Sequence, residues 1–175
     1  MRYAAFIRAV NLGRNRRVTG AQLKSLFEEA GAEEVATFRT SGNVVFEAPR
    51  DIARHLEKHL EQALGHEVVI FLRTASDLKA IAAHEPFPPA DMERSKGKLQ
   101  VSLLGKKPPA ATQKKVLSLA TDEDLLAFGK RELYWLPSGG TLESKLDGQA
   151  IDELLGPSTM RTKGTVELLA AKFFD

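Results

Sequence analysis

Residues 34–48, EVATFRTSGNVVFEA, decide the fold of this chain. Two short runs, rich in β-branched and aromatic residues, flank Thr40, Ser41 and Gly42, and the spacing predicts a β-hairpin whose turn takes a positive φ at Gly42. Before it, VTGAQLKSLFEEAG (18–31) reads as a helix. Thr19 and Gln22 form a capping box, Val18 staples onto Leu23, and Gly31 stops the helix. Leu23, Leu26, Phe27 and Ala30 share its apolar face. Earlier still, RYAAFIRAV (2–10) is a strand apolar on both faces except at Arg8, which implies cover on both sides of the sheet. After the hairpin, Pro49 and Asp51 lead into a helix carrying Ile52, Leu56, Leu60 and Ala63 and closed by Gly65; EVVIFL (67–72) is then a buried strand. The order is β-α-β-β-α-β, the ferredoxin-like arrangement.

The rest of the chain repeats much of that order. A short helix over 76–83, opened by Thr74 or Ser76, precedes HEPFPPADMERSKG (84–97), expected to be loop because of its prolines. KLQVSLL (98–104) reads as a strand, residues 110–120 as a helix, and DLLAF with ELYWLP as a hairpin turning at Gly129 and Lys130. GQAIDELLG and GTVELLAAKFF are helical. The expected fold is therefore α+β with two tandem subdomains: a ferredoxin-like one over 1–84, a connecting loop over 85–97, and a related βαββα unit with an extra C-terminal helix over 98–175. The likeness of the halves is topological, without residue-by-residue identity.

Composition narrows the chemistry. At 175 residues, 43% hydrophobic and 27% charged, the chain buries a core without staples. It has no Cys, which excludes disulfides, thiolate nucleophiles and cysteine zinc sites and favours a cytoplasmic location. The apolar YAAFI is broken at Arg8, and no run reaches a membrane span, so no membrane partner is expected. Residues 1–27 hold six basic residues (Arg2, Arg8, Arg14, Arg16, Arg17 and Lys24) and no acidic one, although the whole chain carries only +2. That concentrated charge points to an anion.

In a ferredoxin-like sheet of order 4-1-3-2, the end of the first strand, the start of the first helix, the hairpin turn and the loop before strand four lie at one edge. NLGRNRR and TSGN become neighbours there, beside a helix N-terminus suited to phosphate or carboxylate. The candidate ligand-binding residues are Arg8, Asn11, Gly13, Ser41, Gly42 and Asn43, near a cleft between the halves. An Arg8 directed into that cleft needs a carboxylate, carbonyls or a ligand anion as partner, and Arg161 with Thr165 would approach from the second half. The plainer reading gives the glycines to turn geometry, the asparagines to their own loops and the arginines to a solvated face.

Other chemistries fit less well. His55 and His59 stand four apart on a helix, but Glu57 is misplaced for a zinc-protease motif, and no metal is expected. Ser41 with His66 lacks reach across two strand spacings, about 10 Å. Phosphate-loop and dinucleotide fingerprints are absent, so no cofactor is implied. Nucleic acid is the second reading, through Arg14, Arg16 and Arg17 rather than sheet-face stacking, because Arg8 and the valines stand where RNA-recognition modules carry aromatics. An enzyme sharing the site is the third, although no acid, base or nucleophile stands out.

FIRAVNLGRNRRV, TFRTSGNVVF and LESKLDGQAIDELLGPSTMRTKGTVELLAAK resemble the three hallmark stretches of a bacterial family known as domain of unknown function 1697. The resemblance spans nearly the whole chain and implies two α+β subdomains, the first ferredoxin-like. It puts Arg8, Asn11, Gly13, Ser41, Gly42 and Asn43 at signature positions, with Ser144, Lys145, Thr159, Arg161 and Thr165. Ala9 and Arg14 replace the family's usual glycines, and Thr162, Lys163 and Gly164 stand where its Asn-Trp-Asn core belongs.

Overall fold

The computed structural model of the chain describes residues 1–8, 18–39 and 42–175. It divides into two units, Met1–Lys79 with Leu169–Asp175, and Ala80–Leu168.

The first unit contains β1 (Arg2–Arg8), α1 (Gly20–Glu29), β2 (Glu33–Thr37), β3 (Asn43–Glu47), α2 (Ala53–Leu64) and β4 (Val69–Thr74). Its sheet has the order β2-β3-β1-β4, as the sequence predicts. β1 is antiparallel to both neighbours, with Ala5 opposite Val44 and Leu72, and Phe6 opposite Asn43 and Phe71. Alternation sends Tyr3, Ala5 and Ile7 to the face where Leu23 and Phe27 of α1 and Leu56 and Leu60 of α2 complete a core. Ala4 and Phe6, on the opposite face, are also completely buried. Over that second face the C-terminal residues contribute Phe173, whose ring stands edge-on to Phe38, while Arg2 donates to the Phe173 carbonyl at 2.8 Å.

Local chemistry fixes the element ends. Gln22 N–H donates to Thr19 Oγ1 at 3.1 Å and Thr19 N–H to Gln22 Oε1 at 2.9 Å, closing the predicted box. Val18 packs against the same core as Leu23. Gly42 takes a φ of 71°, and Gly65 closes α2 in the left-handed region. α3 (Ala75–Ala83) is opened by Thr74, which trades hydrogen bonds with Asp77.

Two features depart from the sequence reading. The expected loop over 85–97 contains α4 (Pro89–Arg94), because a proline in the first helical turn has no N–H bond to lose. The second unit also has a fourth strand. It runs β5 (Gln100–Leu104), α5 (Ala110–Leu117), β6 (Asp124–Phe128), β7 (Glu132–Pro137), a 3-10 turn (Thr141–Glu143), α6 (Gly148–Leu155), β8 (Ser158–Thr162) and α7 (Lys163–Phe173). The sheet order, β6-β7-β5-β8, repeats that of the first unit. β8 escapes sequence reading because it is a polar edge strand, STMRT, in which only Thr159 is buried. Val116, Leu133 and Ile151 form a core with Leu126, Phe128 and Leu146.

Replacing Thr19 by Ala is expected to lower stability by about 1 kcal/mol; a urea midpoint equal to wild type would move the start of α1. A second outcome concerns Glu57, half-buried on α2. Burial, then the neighbouring Glu61 charge, raises its carboxyl above the ordinary glutamate range. The folded state thus holds that proton more tightly than the unfolded state, and stability is lost as pH rises through the raised value. Glu57→Gln should melt higher than wild type at neutral pH and equal to it at about pH 3, where both states are protonated. An unchanged difference at the two pH values contradicts this.

Candidate functional site

Arg8 ends β1, opposite Val69, and is exposed. It therefore needs none of the buried counter-groups expected from sequence, and it makes no ion pair with a described residue. The hairpin turn lies beside it, since Ile7 N–H donates to the Gly42 carbonyl at 2.9 Å. Asn43 is only 1% exposed, and its Nδ2 donates to the Phe38 carbonyl at 3.0 Å. Phe38 N–H returns a bond to the Asn43 carbonyl at 2.9 Å. Asn43 is thus committed to closing the hairpin, the plainer of the two roles weighed for it.

The start of α1 reaches the same end of the sheet. A Cβ on Gly20 would stand 3.0 Å from Thr37 Oγ1, so this glycine lets the helix N-terminus sit against the end of β2. The capping box uses the N–H groups of Thr19 and Gln22; those of Gly20 and Ala21 have no partner among the described residues. The first turn carries no acidic residue to offset the helix dipole. Arg8, Gly42 and Asn43 are therefore brought together, and the α1 N-terminus reaches the same end of the sheet at β2, while Asn11, Gly13 and Ser41, with Arg14, Arg16 and Arg17, lie outside the described residues.

Arg161 and Thr165 belong to the second unit. The Arg161 guanidinium donates to Thr159 Oγ1 at 2.7 Å and to the Met160 carbonyl at 2.8 Å. Burial pushes its pKa down to about 10, which leaves it charged at neutral pH. Thr162 Oγ1 accepts from Thr165 N–H at 3.2 Å and lies 2.8 Å from Thr165 Oγ1, so Thr162 caps α7. Lys163, 7% exposed, donates from Nζ to the Ala82 carbonyl at 3.1 Å and to Glu167 Oε1 at 2.7 Å. TMRTKGT is accordingly a strand end and a helix start held by its own polar groups.

A family model matches residues 1–134. The chain belongs to the DUF1697 family of proteins of unknown function. The matched region contains the Arg8-to-Gly13 and Ser41-to-Asn43 stretches and ends within β7, so Ser144, Lys145, Thr159, Arg161 and Thr165 lie beyond it. Among solved structures, the conserved bacterial protein SP0830 from Streptococcus pneumoniae is similar at 20% identity and a TM-score of 0.77, over 99% of this chain and 98% of that one. That likeness establishes a shared fold. Comparison with curated proteins finds no match.

Several groups in this DUF1697 protein were not singled out by sequence. Asp124, 2% exposed, accepts from Trp135 Nε1 at 2.9 Å, Ser144 Oγ at 2.6 Å and Thr121 Oγ1 at 3.1 Å. The only sequence signal was an Asp opening an apolar strand in a hairpin with the single Trp. Ser144 also accepts Leu146 N–H at 3.1 Å, so this signature position pins a loop. Arg73, 1% exposed, is another, hidden inside β4.

Catalytic geometry is sparse among the described residues. His55 is exposed, His59 Nε2 lies 2.9 Å from Glu29 Oε2, and no group of three metal-ligating side chains converges. Burial of Ala4, Phe6 and Val45 leaves no open sheet face on β1 and β3 for base stacking. A groove in the second unit bordered by Asp91, Arg94, Ser95 and Asp122 has a volume of about 30 Å³, room for about two waters. No helix among the described residues is long and apolar enough to cross a membrane.

Asp124→Ala should lower stability by about 3 kcal/mol, because Trp135 Nε1 is left buried without its acceptor, and Ser144→Ala by about 1 kcal/mol. Urea unfolding checks the order; equal losses would show that Ser144, not Trp135, is the principal partner.

Proposed function

We propose that the end of the first unit where β1 and the hairpin turn meet binds a small anionic or phosphate-bearing ligand. The observation that carries this reading is Arg8: exposed at a strand end beside the hairpin turn, without an ion pair among the described residues. Its guanidinium offers a planar fork to phosphate or carboxylate oxygens. Gly42 supplies the turn and Asn43 holds it closed. Asn11, Gly13 and Ser41, expected from sequence to share the site, lie outside the described residues. Arg161 and Thr165 belong to the second unit and have protein partners for their polar atoms, so the reading rests on the residues of the first unit. The lack of cysteine fits a cytoplasmic setting. Binding is favoured over catalysis because the described residues present no nucleophile and base within reach of each other at this end.

Thermal shift with phosphate, sugar phosphates, nucleotides and carboxylates tests the reading. Wild type should be stabilised by at least one anion, Arg8→Ala should lose the effect, and a triple Arg14, Arg16, Arg17→Ala variant should keep it. Salt-sensitive oligonucleotide binding lost only in the triple variant would replace this reading with nucleic-acid binding.

A further inference from the structure

A second pair of cations stands on the same hairpin. Phe38, fixed by its hydrogen bonds to Asn43, meets Phe173 with ring centres 6.0 Å apart and planes at 86°. Arg39 follows in the left-handed region, φ 59°, a conformation that a side chain with a Cβ adopts at a cost. In that conformation its guanidinium lies 5.4 Å from the Phe38 ring centre. Lys172 Nζ lies 5.8 Å from the same ring and 5.3 Å from Phe173. Two exposed cations thus share one ring, and neither makes an ion pair with a described acidic residue. Glu47, on β3, is engaged by Arg2 at 2.8 Å. Cation–π attraction accounts for each contact singly. It gives no reason to hold an arginine left-handed so that a second positive charge reaches a ring already covered by lysine.

Arg8 faces the same way. Residues opposite one another on neighbouring antiparallel strands share a sheet face, so Phe38, Asn43 and Phe6 lie on one side, and the alternation of β1 puts Arg8 there with Phe6. Two strand spacings, about 10 Å, separate the Phe38 position from β1. Like charges gathered without a protein acid are stabilised by an external anion, and this spacing suits a ligand with more than one anionic group. We propose that the ligand is a small molecule bearing a linear polyphosphate, held by Arg8 at one anionic group and by Arg39 with Lys172 at another. This rests on the anion-binding reading of Arg8 and adds the ligand's valence to it.

Calorimetric titration of the full chain with orthophosphate, pyrophosphate and tripolyphosphate tests the inference. Tripolyphosphate should bind at least roughly tenfold more tightly than orthophosphate. An Arg39→Ala, Lys172→Ala double variant, altered only at exposed side chains, should bind the two alike. Arg8-dependent binding that is indifferent to chain length, or unaffected by the double variant, overturns the inference and leaves the anion site standing. Failure of wild type to bind any of the three sinks both. A single-stranded oligonucleotide whose binding is lost in the double variant, with no tripolyphosphate binding, overturns it in favour of nucleic acid.

Discussion

The pairing of β1 between β3 and β4 is the constraint on which the first unit depends. Its side chains are buried on both faces, Tyr3, Ala5 and Ile7 against the helices and Ala4 and Phe6 on the other side. A slip of one residue would exchange those sets and set small alanines against positions shaped for Tyr3 and Phe6, so the register is strongly specified. That register seats Asn43 opposite Phe6, brings the Gly42 carbonyl to Ile7, and leaves Arg8 as the first side chain past the buried run. Arg8 is exposed because it sits where burial ends.

The same logic separates the signature residues that the protein itself engages from Arg8. Asn43, Ser144, Thr159 and Thr165 all have polar atoms engaged by the protein: two close a hairpin or pin a loop, and two sit at β8 and the cap of α7. A buried hydroxyl or amide needs such partners, since leaving it without them costs about 1–3 kcal/mol. Arg8, Arg39 and Lys172 are different. They are exposed cations without acidic partners among the described residues, and their positions are dictated by elements that fold for other reasons.

Much of this was legible in sequence. Thr19 and Gln22 announced α1, Gly42 announced the hairpin, and the unbroken apolar run of β1 announced a sheet covered on both faces. Local spacing encodes such features directly. What escaped depended on long-range partners. β8 carries little hydrophobic pattern and is a strand because β5 offers it hydrogen bonds. α4 hides behind prolines that its first turn tolerates. Neither Arg73 nor Asp124 was singled out and Lys163 stood out only as a departure from the closing motif; the tertiary structure shows all three buried. For Asn43 the sequence left two roles open, because an Asn beside a turn glycine has the same signature whether it binds a ligand or its own hairpin, and the structure shows the hairpin bond.

The central claim is that a positively charged, anion-binding surface lies at the Arg8 end of the first unit. Amide chemical-shift mapping during a phosphate titration addresses it most directly, because every residue reports separately. The account predicts saturable shifts at Arg8, Gly42 and Asn43, with the amides of β5 to β8 unmoved. Shifts centred on Arg161 and Thr165, or scattered without saturation over all exposed basic residues, would contradict it.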